Sequence, residues 1–184
     1  MACPCTCPMS FLRRFWPRGP AQQLRLVGGL LMGAALFSLG FAFTAQYGFG
    51  LKPCILCLYQ RVPYALIAAL GAAAFFAAKS VPLVSKIAVG MSILAFLTGA
   101  AIGFFQVGVE QKWWRGTDEC VGSDLTGLSP EQMIAKISAA PLVRCDEIQF
   151  EFLGISMAGY NALWSLGLAV FFTALLVVSL RKGQ

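Results

Sequence analysis

The chain has 184 residues, of which 58% are hydrophobic and only 12% charged, and its mean hydropathy is +0.74. That composition excludes an ordinary soluble domain and indicates a membrane protein. The formal charge of +6 is spread along the chain in a way that reports topology, and no nucleic-acid-binding patch is read from it.

Residues 1–24 form a tail, "MACPCTCPM" and onward, with Cys3, Cys5 and Cys7. Three soft ligands on a tail could hold a metal such as Cu(I); translation from Met9 is the simpler expectation. Residues 25–182 are expected to form one all-α membrane domain, a four-transmembrane-helix bundle. A hydrocarbon core about 30 Å thick requires roughly 20 apolar residues in a helix. Four segments suit it, at about residues 26–45, 62–78, 87–109 and 154–180. The first is longer than the core of a secretory signal and no Ala-x-Ala site follows, so it is expected to be retained. Gln106 and Asn161 are the polar residues noted inside the spans.

Four spans put both termini and the tight connection at residues 79–86 on one face. The loops at about 46–61 and 110–153 share the other. The first face carries Arg13, Arg14, Arg18, Arg25, Lys79, Lys86, Arg181 and Lys182 and no acid. The second carries Lys52, Arg61, Lys112, Arg115, Lys136 and Arg144 together with all 8 acids. Excess Lys and Arg mark the cytoplasmic side, so the termini are expected there and the two loops outside.

The partition places Cys54, Cys57, Cys120 and Cys145 on the outer face. Four cysteines on an oxidising face are expected to pair. The two-residue gap favours Cys54–Cys57, leaving Cys120–Cys145 to close the long loop. A four-thiolate zinc site is disfavoured, because the second pair lacks knuckle spacing and the chain has no histidine. Two inert structural disulfides are the competing reading.

The stretch "GLKPCILCLYQRVPY" points to reactivity. Pro53 suits a helix entry, and a helix N-terminus favours a thiolate. Arg61 follows Cys57 by four positions, on one helix face. It would either pair with an anionic sulfur or acceptor, or anchor the helix at the interface. Tyr59, Tyr64, Trp113 and Trp114 read as interface aromatics. A dithiol at the membrane edge has a lipid-soluble redox partner available in a quinone. In the long loop, "LSPEQMIAKISAA" reads as a short helix capped by Ser129 and Gln132, with Pro130 first. The segment "EIQFEFLGISM" is expected either to lie in the interface plane or to pack as a loop on the span ends.

"LKPCILCLYQR" and "RCDEIQFEFLGISM", in a four-span frame with a second cysteine pair, resemble the DsbB family of disulfide bond formation proteins of bacterial inner membranes. The resemblance runs from Leu26 to Leu180. That a DsbA–DsbB–quinone route keeps the periplasm oxidising is established for the family and is not deduced from these residues. It implies a thiol:quinone oxidoreductase with periplasmic loops, served by a DsbA-like dithiol protein and by ubiquinone or menaquinone. By position, Cys120 would form the mixed disulfide with DsbA and Cys145 would exchange with Cys54. Cys57 would contact the quinone as a charge-transfer thiolate, and Arg61 would stabilise the charge. DsbA is itself strongly oxidising, at about −120 mV, so its acceptor needs a higher potential. The chain departs from the family pattern at Gln60, where a glutamate is found, and at Gln111, where a histidine is found. Glu110 is the remaining candidate for quinol protons. A vitamin-K-epoxide-reductase-like enzyme fits the cysteine order less well.

Overall fold

The computed structural model describes residues 19–117, 120, 129–138 and 143–181; the tail cysteines Cys3, Cys5 and Cys7 lie outside these residues. Helix α1 is Pro20–Phe43 and continues as a π-helix, Thr44–Gly48. Helix α2 is Ile55–Ala77, α3 is Pro82–Glu110, and α4 is Pro130–Ser138. A two-residue hairpin follows, β1 Glu151–Phe152 and β2 Ile155–Ser156, and α5 runs Met157–Arg181. Four of these helices are long and apolar enough to cross a membrane.

Pro20 and Pro82 open α1 and α3, where a missing N–H costs no helical hydrogen bond. The second helix begins at Ile55, close to the entry that Pro53 predicts, so Cys57 and Arg61 lie inside it. Pro53 is not its first residue: Cys54 is the N-cap, its sulfur accepting from Cys57 N–H at 3.4 Å. Pro63 lies within the helix and is buried.

Consecutive helices pack in the order α1, α2, α3, α5, whereas α1 and α5 touch only sparsely. In lipid, apolar side chains gain little by turning inward, so small residues set helix contacts. A Cβ on Gly28 would stand 2.6 Å from Phe75 N, and one on Gly71 2.7 Å from Met32 N. The backbones of α1 and α2 therefore touch. Gly103 likewise admits Ala162 of α5. Where large side chains do meet, they stack: Phe96 on Phe172 at 5.8 Å between ring centroids, with Tyr64 edge-on to Phe96 at 6.2 Å. Phe37, Phe41, Leu94 and Val170 point outward, as lipid-facing residues should.

The loop elements follow local chemistry. Ser129 Oγ accepts from Gln132 N–H at 3.4 Å, and Gln132 Oε1 accepts from Ser129 N–H at 3.2 Å, the expected capping box. The segment "EIQFEFLGISM" folds into the β1–β2 hairpin. Phe152 pairs with Ile155, and Leu153 and Gly154 turn with φ of 51° and 76°, as a two-residue hairpin of this hand requires. Tyr160 OH then ties Phe152 O to α5 at 2.9 Å. Trp114 donates to Phe105 O at 3.0 Å and lies over Gly108, where a Cβ would meet its ring at 2.0 Å.

The α1–α2 contact is testable. Gly28→Val forces backbone apart and is expected to destabilise the detergent-solubilised protein by about 1–3 kcal/mol, the usual range for overpacking. Gly33→Ala, which meets nothing within 4 Å, should leave the thermal midpoint unchanged.

Candidate functional site

The Cys54/Cys57 and Cys120/Cys145 pairs converge on one end of the bundle. Cys54, Leu56, Val109, Cys120 and Cys145 form one buried cluster, flanked by Cys57, Ile102 and Phe105. Cys120 and Cys145 are joined by a disulfide with Cα atoms 5.2 Å apart, and Cys145 N–H bonds Cys120 O at 3.0 Å. Both Cys120 and Cys145 are fully buried.

Cys54 and Cys57 are adjacent and unbonded in this structure, with sulfurs 3.0 Å apart. Closing a disulfide between them needs a shift of about 1 Å. The contact forms because the helix start brings residues three apart to one side. The Cys54 thiol is pushed above its ordinary range, first by its hydrogen bond with Cys57 and then by burial.

Sequence reasoning noted Gln106 and gave it no role. It is the main polar neighbour of the sulfurs. Its Nε2 lies 3.4 Å from Cys57 Sγ, 3.5 Å from Cys54 Sγ and 3.3 Å from Glu110 Oε1. Gln60 Nε2 donates to Gln106 Oε1 at 2.6 Å, and Asn161 Nδ2 donates to Gln60 Oε1. Tyr64, expected at the interface, is buried; its hydroxyl donates to Asn161 Oδ1 at 2.6 Å and stands 2.7 Å from Ser165 Oγ. An uncharged polar residue alone in an apolar span is the signal that could have found this set, since such residues carry function or partners.

Arg61 reaches toward α1. Its guanidinium donates to Gln46 Oε1 at 2.6 Å and to Ala42 O at 3.5 Å, and it lies 5.0 Å over the Phe43 ring. The π-helical turn carries Gln46, which suits the frequent use of such turns at functional sites.

Cys57, Gln60, Arg61 and Gln106 meet at a cavity of about 610 Å³. Its apolar walls come from α1 and α5, among them Phe37, Phe41, Leu163 and Trp164. Arg144, Glu147 and Gln149 edge it on the loop side. Arg144 holds Asp146 through two hydrogen bonds of 2.9 and 2.8 Å, beside Cys145. The guanidinium keeps the Asp146 carboxyl below the ordinary carboxylate range. Trp113, Trp114 and Glu110 are not part of the cavity wall.

Known proteins resemble this chain along most of its length. The sequence model of the family described as "Disulfide bond formation protein DsbB" matches residues 24–175. Disulfide bond formation protein B of Chromobacterium violaceum is 33% identical over 162 residues, covering 85% of this chain and 95% of that protein. Proteins of the same name from Acidovorax sp. and Acinetobacter baumannii are each 32% identical, over 87% and 85% of this chain and 90% and 88% of theirs. With four membrane-length helices and both cysteine pairs gathered at one end, the chain belongs to the DsbB family and is a multi-pass inner-membrane protein of bacterial disulfide bond formation.

Proposed function

We propose that the protein is a thiol:quinone oxidoreductase that reoxidises a DsbA-like periplasmic dithiol protein. The observation that carries this reading is the sharing of one buried cluster by a Cys-x-x-Cys dithiol and a long-loop disulfide, with the Cys57 sulfur on the wall of a lipid-side cavity.

Electrons enter at the long loop. A thiolate of the reduced partner attacks Cys120 of the Cys120–Cys145 bond, and Cys145 leaves. The partner's second thiol then displaces Cys120, so the partner departs as a disulfide and the loop pair is reduced. The Cys145 thiolate next attacks Cys54 in the oxidised Cys54–Cys57 pair and frees the Cys57 thiolate. Cys120 resolves the Cys54–Cys145 bond, and two electrons have moved to Cys54 and Cys57. Packing of both pairs in one cluster keeps this second exchange short-range.

The cavity fits ubiquinone or menaquinone: long apolar walls suit an isoprenoid tail, and Arg61, Gln60 and Gln106 supply donors at the polar end. A quinone bound there supplies a two-electron, two-proton sink. Cys57 faces it, while Arg61, braced by Gln46 and Phe43, holds positive charge at the site. The Arg144–Asp146 pair fixes the chain next to Cys145. The same topology reading puts the termini in the cytoplasm and both cysteine-bearing loops in the periplasm.

Purified protein mixed with reduced DsbA and ubiquinone should consume quinone, and Cys57→Ser and Cys120→Ser should each abolish turnover. No turnover, with all four outer cysteines stably paired, would favour an inert scaffold. Arg61→Leu is expected to raise the KM for quinone about tenfold or more, a charge-assisted donor being lost, with little change in Cys120–Cys145 exchange. The Asp146 carboxyl titrates lower in the folded protein, so its bracing is complete above the ordinary carboxylate value of about 3.9. It is lost as pH falls through the depressed one. Phosphine reduction of Cys120–Cys145 should therefore be faster in Asp146→Asn than in wild type at neutral pH, and the two rates should converge at acid pH.

A further inference from the structure

The buried amides of three helices form a chain with one direction. Tyr64 on α2 donates to Asn161 on α5, Asn161 to Gln60 on α2, Gln60 to Gln106 on α3, and Gln106 to the sulfurs. Every donor points toward Cys57. An amide has a donor end and an acceptor end of nearly equal size, so its neighbours decide which end faces a given atom. At Gln106 the carbonyl oxygen is taken by Gln60 at 2.6 Å, far closer than the 3.8 Å contact with the Cys57 thiol. The Glu110 carboxylate, 3.3 Å from Nε2, accepts only an N–H. Both constraints turn the NH₂ group toward Cys54 and Cys57.

We infer that Gln60 and Asn161 are positioning residues for the Cys-x-x-Cys pair: they lock the Gln106 amide with its NH₂ end toward the sulfurs, which stabilises the reduced, thiolate-bearing form. An N–H facing a thiolate attracts it, and a carbonyl oxygen in the same place repels it. Successive hydrogen bonds in a water-poor interior also polarise one another. The device is made of neutral amides in a chain without histidine. The charged groups around the pair are Glu110, bonded to Gln106, and Lys52, Arg61, Arg144 and Glu147 on the cavity wall.

This inference rests on Cys54–Cys57 being a redox pair, and equilibrium with glutathione tests the two ideas separately, with no quinone present. Two glutathione thiols convert the Cys54–Cys57 disulfide to the dithiol and leave as glutathione disulfide. Full-length protein is equilibrated over a series of glutathione ratios, alkylated, and read by the mass of the Cys54–Cys57 peptide; any Cys54–Cys145 peptide is scored apart. Gln106→Leu should lower the equilibrium constant for reduction about tenfold, the scale of a hydrogen bond to a charged group, which is about 30 mV for this two-electron couple. Asn161→Leu, which removes no contact to sulfur, should lower it about two- to fivefold, part of that same bond. Tyr64→Phe, a milder change that keeps the fold if Asn161→Leu does not, should shift it in the same direction. Constants equal to wild type in Tyr64→Phe and any folded Asn161→Leu overturn the inference, whatever Gln106→Leu shows, and leave the proposed reaction standing. A pair that never forms a disulfide at any ratio overturns both.

Discussion

A polar side chain held in hydrocarbon has no water to turn to, so its partners must come from the protein itself. That constraint organises this bundle. Tyr64, Gln60, Gln106, Asn161 and Ser165 sit on three different helices and satisfy one another. Their bonds fix the rotation of α2, α3 and α5 about their axes, which apolar contacts against lipid would not do by themselves. Small residues allow the approach that these short side chains require: Gly99 lies against Ser165, and Gly103 against Ala162. The sulfurs inherit their position from this frame, since Cys57 is one turn before Arg61 on a helix whose rotation is already set.

The opposite side of the site is held differently. Between α1 and α2 the fixed element is backbone contact at Gly28 and Gly71, close to the first face of the bundle. Nearer the sulfurs, α1 changes to a π-helix and presents Gln46 and Phe43 to Arg61. The cavity lies where α1 and α5 separate, with a rigid amide wall on one side and a braced guanidinium on the other. Arg61 thus meets the desolvation cost of its charge through Gln46, Ala42 and the Phe43 ring, without needing a permanent anion.

Much of the frame was legible in the sequence because it depends on composition and order. Apolar length revealed the spans, and chain order alone put all four outer cysteines on one face. Ser129 and Gln132 declared a cap through purely local chemistry. The failures share a cause. Arg61 left two readings open, a sulfur or acceptor partner and an interfacial anchor, because nothing local reveals its partners Ala42 and Gln46. Tyr64 read as an interface residue, because nothing in its neighbourhood reveals Asn161, 97 positions away. Gln106 was noted but unassigned for the same reason, being 46 residues from Gln60. Helices apolar all round give no face to orient by, so which residues meet across the bundle follows from the packed structure alone.

The sealed long-loop disulfide has a consequence for selectivity. Cys120 and Cys145 expose 0% and 1% of their surface, so on the proposed route no reductant reaches them until the loop yields. A small thiol gains too little binding energy to open a packed loop, whereas a folded partner can use its whole interface to do so. On the proposed route this burial acts as insulation: electrons enter from a protein that docks, and adventitious thiols are kept from short-circuiting into the membrane.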